Sequence, residues 1–152
     1  MSKHKTLGQV YTPNWIVSEI LDSVGYNNDT ILDKYILEPS CGDGVFLIEI
    51  VSRYINIGFT NNLSKEQIAK NLEKYIYGIE LDEIEYKKSI INLDNLVIKD
   101  LSEDIKVKWN IFNRNTLEIY KSYSDFFDFI VGNPPYIRIH NLDLNTDRKS
   151  VV

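Results

Sequence analysis

Apolar residues recur along this chain in two rhythms. One returns every three or four positions, the spacing of a helix face. The other is a short unbroken run, the mark of a buried strand. Ile16, Val17, Ile20, Leu21 and Val24 share one face of a helix spanning Asn14 to Val24. Thr12-Pro13 ahead of it reads as its start, with Thr12 as N-cap and Pro13 at the first helical position. Gly25 closes it. Tyr35 to Glu38 reads as a buried strand that breaks at Pro39. A second helix runs from Gly44 to Ile57, carried by Val45, Phe46, Ile48, Val51, Tyr54 and Ile55. A third covers Ser64 to Leu72, with Ser64 as cap and Gln67 at the capping-box position. Tyr75 to Glu80 reads as the second strand. Asp82 to Leu93 is a helix whose acidic start suits the positive end of its dipole. Lys106 to Phe112 and Phe126 to Val131 are the third and fourth strands. The last of these is apolar nearly throughout, as a central parallel strand would be.

Strands alternating with helical patterns give an α/β fold, a parallel sheet with right-handed crossovers. In such sheets ligands bind beyond the carboxyl ends of the strands. Three motifs stand at such ends. The first strand runs into Glu38-Pro39-Ser-Cys-Gly42-Asp-Gly44, and a helix follows at once. Glycine lets the backbone turn sharply and approach a ligand. The third glycine of the dinucleotide fingerprint is missing, which disfavours a pyrophosphate. A tight turn without a ligand remains the alternative. The second strand ends in Gly78-Ile-Glu80-Leu81-Asp82, an acidic tip where a ribose is held through its hydroxyls. Its separation from the glycine loop exceeds the usual ~20 residues, and the Ser64 to Leu72 helix accounts for the excess. Asp82 reads equally well as a helix N-cap.

The fourth strand runs into Gly132-Asn133-Pro134-Pro135-Tyr136. Two prolines fix the backbone and remove two N–H donors. Acceptors remain, the Asn133 side-chain oxygen and the Pro134 carbonyl, and an aromatic ring follows. This set suits a planar amine, with acceptors for its N–H bonds and a ring for its face. A rigid turn ending a strand is the bland alternative.

Composition narrows the class. The chain has 152 residues, 43% hydrophobic and 26% charged, which is ordinary for one globular domain with a core. A single Cys excludes an internal disulfide and fits a reducing, cytoplasmic setting. No apolar run suits a membrane span, and no h-region follows the basic start. No cluster of metal-ligand spacing is present, so no metal is expected. The net charge of −5 counts against a DNA-binding surface within these residues.

Taken in order, Gly8-Gln-Val-Tyr11-Thr12-Pro13, Glu38-Pro-Ser-Cys-Gly-Asp-Gly44, Gly78-Ile-Glu-Leu-Asp82 and Asn133-Pro-Pro-Tyr136 resemble the gamma-class adenine-specific DNA methyltransferases. Ile137-Arg138 after the last motif is similar to the Eco57I-like restriction–modification group. The resemblance implies a Rossmann-like S-adenosylmethionine-dependent methyltransferase fold, here cut after about the fourth strand. It also implies transfer of a methyl group to the N6 amino group of adenine in double-stranded DNA. Tyr11, Thr12 and Pro13 would close over the methionine end of the cofactor. Glu38, Pro39, Gly42 and Gly44 would form its pocket. Glu80 would bind the ribose hydroxyls, and Leu81 would pack on the cofactor's adenine. Asn115 stands where the family commonly has an acidic residue reaching that adenine's amino group. The target base would be flipped out of the duplex. Asn133 and the Pro134 carbonyl would accept its N–H bonds, Pro135 would fix the turn, and Tyr136 would stack on the base.

The same strand-end motif occurs in methyltransferases acting on protein glutamine or on guanine in ribosomal RNA. Gly8 to Pro13 favours the DNA enzymes over these. An inactive cofactor-binding fragment is a further alternative. Residues 1–146 are expected to be a partial catalytic domain, without the basic target-recognition domain. Asp147 to Val152 continue no motif and can be encoded by a frame of a common sequencing-adapter oligonucleotide, so an artefactual tail is expected there. Arg138 and His140 would be the first hints of a DNA-reading part, or ordinary loop residues. The chain alone is expected to be inactive and poorly soluble, because the Phe126 to Val131 strand would leave an apolar edge unpaired.

Overall fold

A computed structural model of the chain describes residues 11–123 and 125–134. Pro135, Tyr136, Arg138, His140, Gly8 and the 147–152 segment lie outside the described residues. Four parallel strands, β1 (Ile36–Glu38), β2 (Ile76–Ile79), β3 (Asn110–Phe112) and β4 (Phe129–Ile130), form one sheet in the order β3-β2-β1-β4. Ile36 pairs with Ile76 on one side and with Phe129 on the other. The chain therefore lays strands outward from β1 and then returns to its free side with β4. That reversal between β1 and β4 is the switch in strand order where a cleft opens at the carboxyl ends.

The helices are α1 (Asn14–Ser23), α2 (Val45–Thr60), α3 (Lys65–Tyr75), α4 (Glu83–Asp100) and the one-turn α5 (Thr116–Ile119). Helix α2 is the spine and packs against α1, α3 and α4. Its Phe46, Leu47, Ile50, Val51, Tyr54 and Ile55 are all buried. Arg53 on the same helix ties α1 down. Its guanidinium donates to Glu49 at 2.9 Å, to Asp22 at 2.6 Å, to the Tyr26 carbonyl at 3.1 Å and to the Ser18 hydroxyl at 2.8 Å. The guanidinium holds the Asp22 carboxyl below its ordinary range.

Several boundaries move from those expected, each for a physical reason. Thr12 is not a cap. Pro13 occupies the cap position of α1, with extended backbone and no side-chain cap bond. Helix α4 runs on past Leu93 because Val97 and Leu101 continue its buried face at four-residue spacing. Strand β3 is cut to Asn110–Phe112 because its partner has nothing earlier to offer: α3 lasts until Tyr75, and β2 begins only at Ile76. The Lys108 amide instead donates to Glu73 on α3 at 2.8 Å. Phe126 and Phe127 leave the expected fourth strand for an aromatic cluster. Phe126 lies 4.5 Å from Tyr35 and 5.7 Å from Tyr77, ring centre to ring centre. Asp128 then sets the register, accepting from the Tyr35 amide at 2.8 Å. The capping box at Ser64 and Gln67 forms as expected.

Strand β4 is an edge among the described residues, not a central strand, and Ile130 on it is 64% exposed. No helix of the described residues is long and apolar enough to cross a membrane.

Candidate active site

A cleft of about 1130 Å³ opens at the carboxyl ends of β1, β2 and β4. One-ligand pockets commonly measure ~300–1,000 Å³, so there is room here for more than a single nucleoside. Of the expected site residues, Tyr11, Thr12, Glu38, Pro39, Gly42, Glu80, Leu81, Asn115, Asn133 and Pro134 line it. Pro13 and Gly44 do not. Pro13 starts α1. Gly44 begins α2 with φ +97, and a Cβ there would sit 3.2 Å from the Cβ of Ser89 on α4. Its missing side chain lets α2 pack closely on α4 through a left-handed turn. Gly42, with φ +54, has nothing within 4 Å of where a Cβ would be, and it faces the cleft.

The glycine loop is held from three directions. The Cys41 amide donates to the Ile79 carbonyl at 2.9 Å. The Gly42 amide donates to one Glu80 oxygen at 2.7 Å, and the Asp82 amide donates to the other at 2.8 Å. Asn92 on α4 donates to the Asp43 carbonyl at 2.9 Å. Each Glu80 oxygen thus keeps a second lone pair, which is what a pair of vicinal hydroxyls needs. Asp82 caps α4 by accepting from Ile84 and Glu85 at 2.8 and 3.1 Å, so its side chain does the helix's work. Asn113, below the cleft, donates to the carbonyls of both Glu80 and Leu81, each at 2.9 Å.

The far wall is α5. Its cap is Asn115, whose side-chain oxygen accepts from the Leu117 amide at 3.0 Å. The expected acceptor role for Asn115 therefore has to share that oxygen. Thr116 ties this turn to the first loop, its hydroxyl donating to the Pro39 carbonyl. Leu81 and Leu117 are 68% and 73% exposed where they line the cleft. Two open leucines beside an acceptor-lined trough suit the two faces of a flat ring. Sequence reasoning placed Leu81 and missed Leu117. An apolar residue left exposed on a one-turn helix carries no periodic signal.

Glu38 is the buried carboxyl of the site. It is 1% exposed, with its carboxyl accepting from the Ser40 amide at 3.1 Å. Burial pushes its pKa up to about 8 from 4.5, opposed by the Ser40 amide and reinforced by the Glu80 charge. A Cβ on Gly132 would overlap this carboxyl, so a side chain there would have to displace the Glu38 carboxyl from its place beside the turn after β4. The turn then presents Asn133, whose amide nitrogen donates to the Thr12 hydroxyl at 3.2 Å. Among the described residues, Glu38, Asp43, Glu80, Asp82 and Glu85 line the cleft against the single cation Arg114. Such a cleft favours a cation and repels a pyrophosphate. Among the described residues no group of three or more His, Cys, Asp or Glu could hold a metal ion. Cys41, buried behind the loop, has its thiol pushed up by burial first and then by Glu38 and Glu80, so it is no nucleophile.

The cleft lies at a topological switch, with the acid-tipped second strand on one side of β1 and the Asn-Pro turn on the other. The chain belongs to the N-6 DNA Methylase family, whose model matches residues 1–150. It is 33% identical over 143 residues to the type II methyltransferase M.BstVI of Geobacillus stearothermophilus, and 31% identical over 136 residues to the type II methyltransferase M.XhoI of Xanthomonas vasicola. The alignments cover 86% of this chain in each case, but 25% and 24% of those proteins, so the chain spans about a quarter of their length. The fold is similar to that of a nuclease-deletion mutant of the Type ISP restriction–modification enzyme LlaGI, solved with a DNA substrate mimic. The TM-score is 0.64 at 19% identity, over 84% of this chain and 13% of that one.

Proposed function

We propose that this chain forms the cofactor-binding and catalytic half of a restriction–modification methyltransferase that acts on the N6 amino group of adenine in DNA. The observation that carries this reading is the opening of Glu80 and Asn133 onto one acidic cleft. Family membership and the names of the relatives support it. The residues fit S-adenosylmethionine. Glu80 offers lone pairs to ribose hydroxyls, Leu81 and Leu117 sandwich a flat ring, and the acidic lining suits a cation. When bound, the cofactor supplies a methyl group on a positively charged sulfur.

The chain's own residues supply alignment. Asn133 and the Pro134 carbonyl accept N–H bonds from a flipped adenine, which draws electron density onto the nitrogen. Tyr136, outside the described residues, stacks on the base. Two acceptors fix the amine in plane, and that placement carries much of the rate. No general base of matched pKa is required. The DNA-reading surface belongs to sequence beyond this chain, in keeping with its net charge of −5. The cytoplasm is where such a protein meets DNA.

Cofactor binding is tested by calorimetry on the protein expressed from the whole open reading frame that contains this chain. S-adenosylmethionine is expected to bind in the micromolar range, and NAD to give no heat. Binding of NAD in preference would replace the methyltransferase reading with a dinucleotide one.

A further inference from the structure

Thr12 has no structural task that its position explains. It precedes a helix whose cap is Pro13, and it makes no cap bond. Yet it is 5% exposed, at the wall of the cleft. Among the described residues its hydroxyl meets a partner across a separation of 121 residues, the amide nitrogen of Asn133, at 3.2 Å. This contact joins the segment before α1 to the turn after β4 directly above the Glu38–Gly132 junction.

An asparagine amide has a donor end and an acceptor end of nearly the same shape. A planar amine needs the acceptor end. A site that turned the amide around would meet N–H with N–H and leave both donors unsatisfied. Resting on the function proposed above, we infer that Thr12 is a positioning residue that holds the Asn133 amide with its oxygen toward the target amine. A hydroxyl can serve either end of an amide, so by itself Thr12 fixes the amide plane. Once its proton is given to an acceptor on the cleft side, Oγ1 is left only to accept, and the nitrogen end of Asn133 must face it. Filling the cleft therefore sets the orientation of Asn133, and Thr12 transmits that setting.

The test uses the full-length protein and three substitutions. Thr12→Val keeps the shape and removes the hydroxyl. It is expected to lower kcat about 10–100-fold, a larger loss than any in affinity for S-adenosylmethionine by calorimetry. Thr12→Ser recovers most of the turnover. The deciding arm is the cycle with Asn133→Asp, because a carboxylate has no donor end to misplace. On that background Thr12→Val is expected to cost less than about threefold. An unchanged kcat in Thr12→Val overturns the inference. So does a loss of cofactor affinity matching the loss of kcat, which would make Thr12 a cofactor contact alone. An equal loss on both backgrounds overturns it too, since the role would then be packing. The parent protein's own activity on DNA separates these outcomes from failure of the adenine reading: if the parent methylates DNA, any negative result falls on Thr12 alone.

Discussion

Asn133→Ala is expected to lower methyl transfer by about 10²–10³-fold or more while leaving cofactor binding within a few-fold. Removing one preorganised hydrogen-bonding group from a developing charge costs that much in enzymes of other classes. Here Asn133 is one of two acceptors proposed for the same amine, and the other is a backbone carbonyl that cannot compensate by moving. The turn that carries it is set by the close approach of Gly132 to Glu38. The Glu80 and Gly42 contact is made on the other side of β1 and does not involve Asn133. Cofactor affinity and turnover should therefore separate. Single-turnover methylation and calorimetry on one preparation check both. Turnover near that of the parent would remove Asn133 from the mechanism.

Glu38→Gln is expected to stabilise the protein at pH 8 and to weaken its hold on a cationic cofactor. In the unfolded chain the carboxyl ionises near 4.5, and in the folded protein near 8. Between those values the folded state holds a proton that the unfolded state has released. Stability attributable to Glu38 therefore falls as pH rises from about 4.5 to about 8, and levels off above. The shift corresponds to on the order of 3–5 kcal/mol as an upper bound. Gln stays neutral and can still accept from the Ser40 amide. The variant should match the parent in Tm near pH 4.5, exceed it increasingly toward pH 8, and run parallel beyond. Parallel curves throughout would show that Glu38 does not titrate in this range. The cost to function follows from the same burial. A carboxylate kept from water gains most when a cation arrives, so the stabilised variant should bind S-adenosylmethionine less tightly.

The helices and the order of strands were legible because amphipathic spacing and apolar runs are local signals. What escaped was decided by partners. Strand β3 lost Lys106 to Trp109 because β2 starts only after Tyr75. Phe126 and Phe127 read as strand until Tyr35, Tyr77 and Tyr123 are seen to gather them. In the site, most of the side chains that line the cleft were visible as motif residues, Leu117 excepted, since strand ends announce themselves by Gly, Pro and acids. Those that hold the site together were not. Asn92 and Asn113 act through single bonds to carbonyls far along the chain, and no spacing marks such a residue. Gly44 was read as a ligand contact because a glycine after a strand permits close approach, and the close approach seen there is that of Ser89.

The central claim is the identity of the methylated atom. The full-length protein should be incubated with unmodified DNA and S-adenosylmethionine carrying a labelled methyl group, and the product digested to nucleosides and resolved by mass. The label is expected in N6-methyldeoxyadenosine alone, and to vanish with Asn133→Ala. Label in any other nucleoside of the DNA would contradict the account, and so would a protein that binds the cofactor and leaves DNA unmarked.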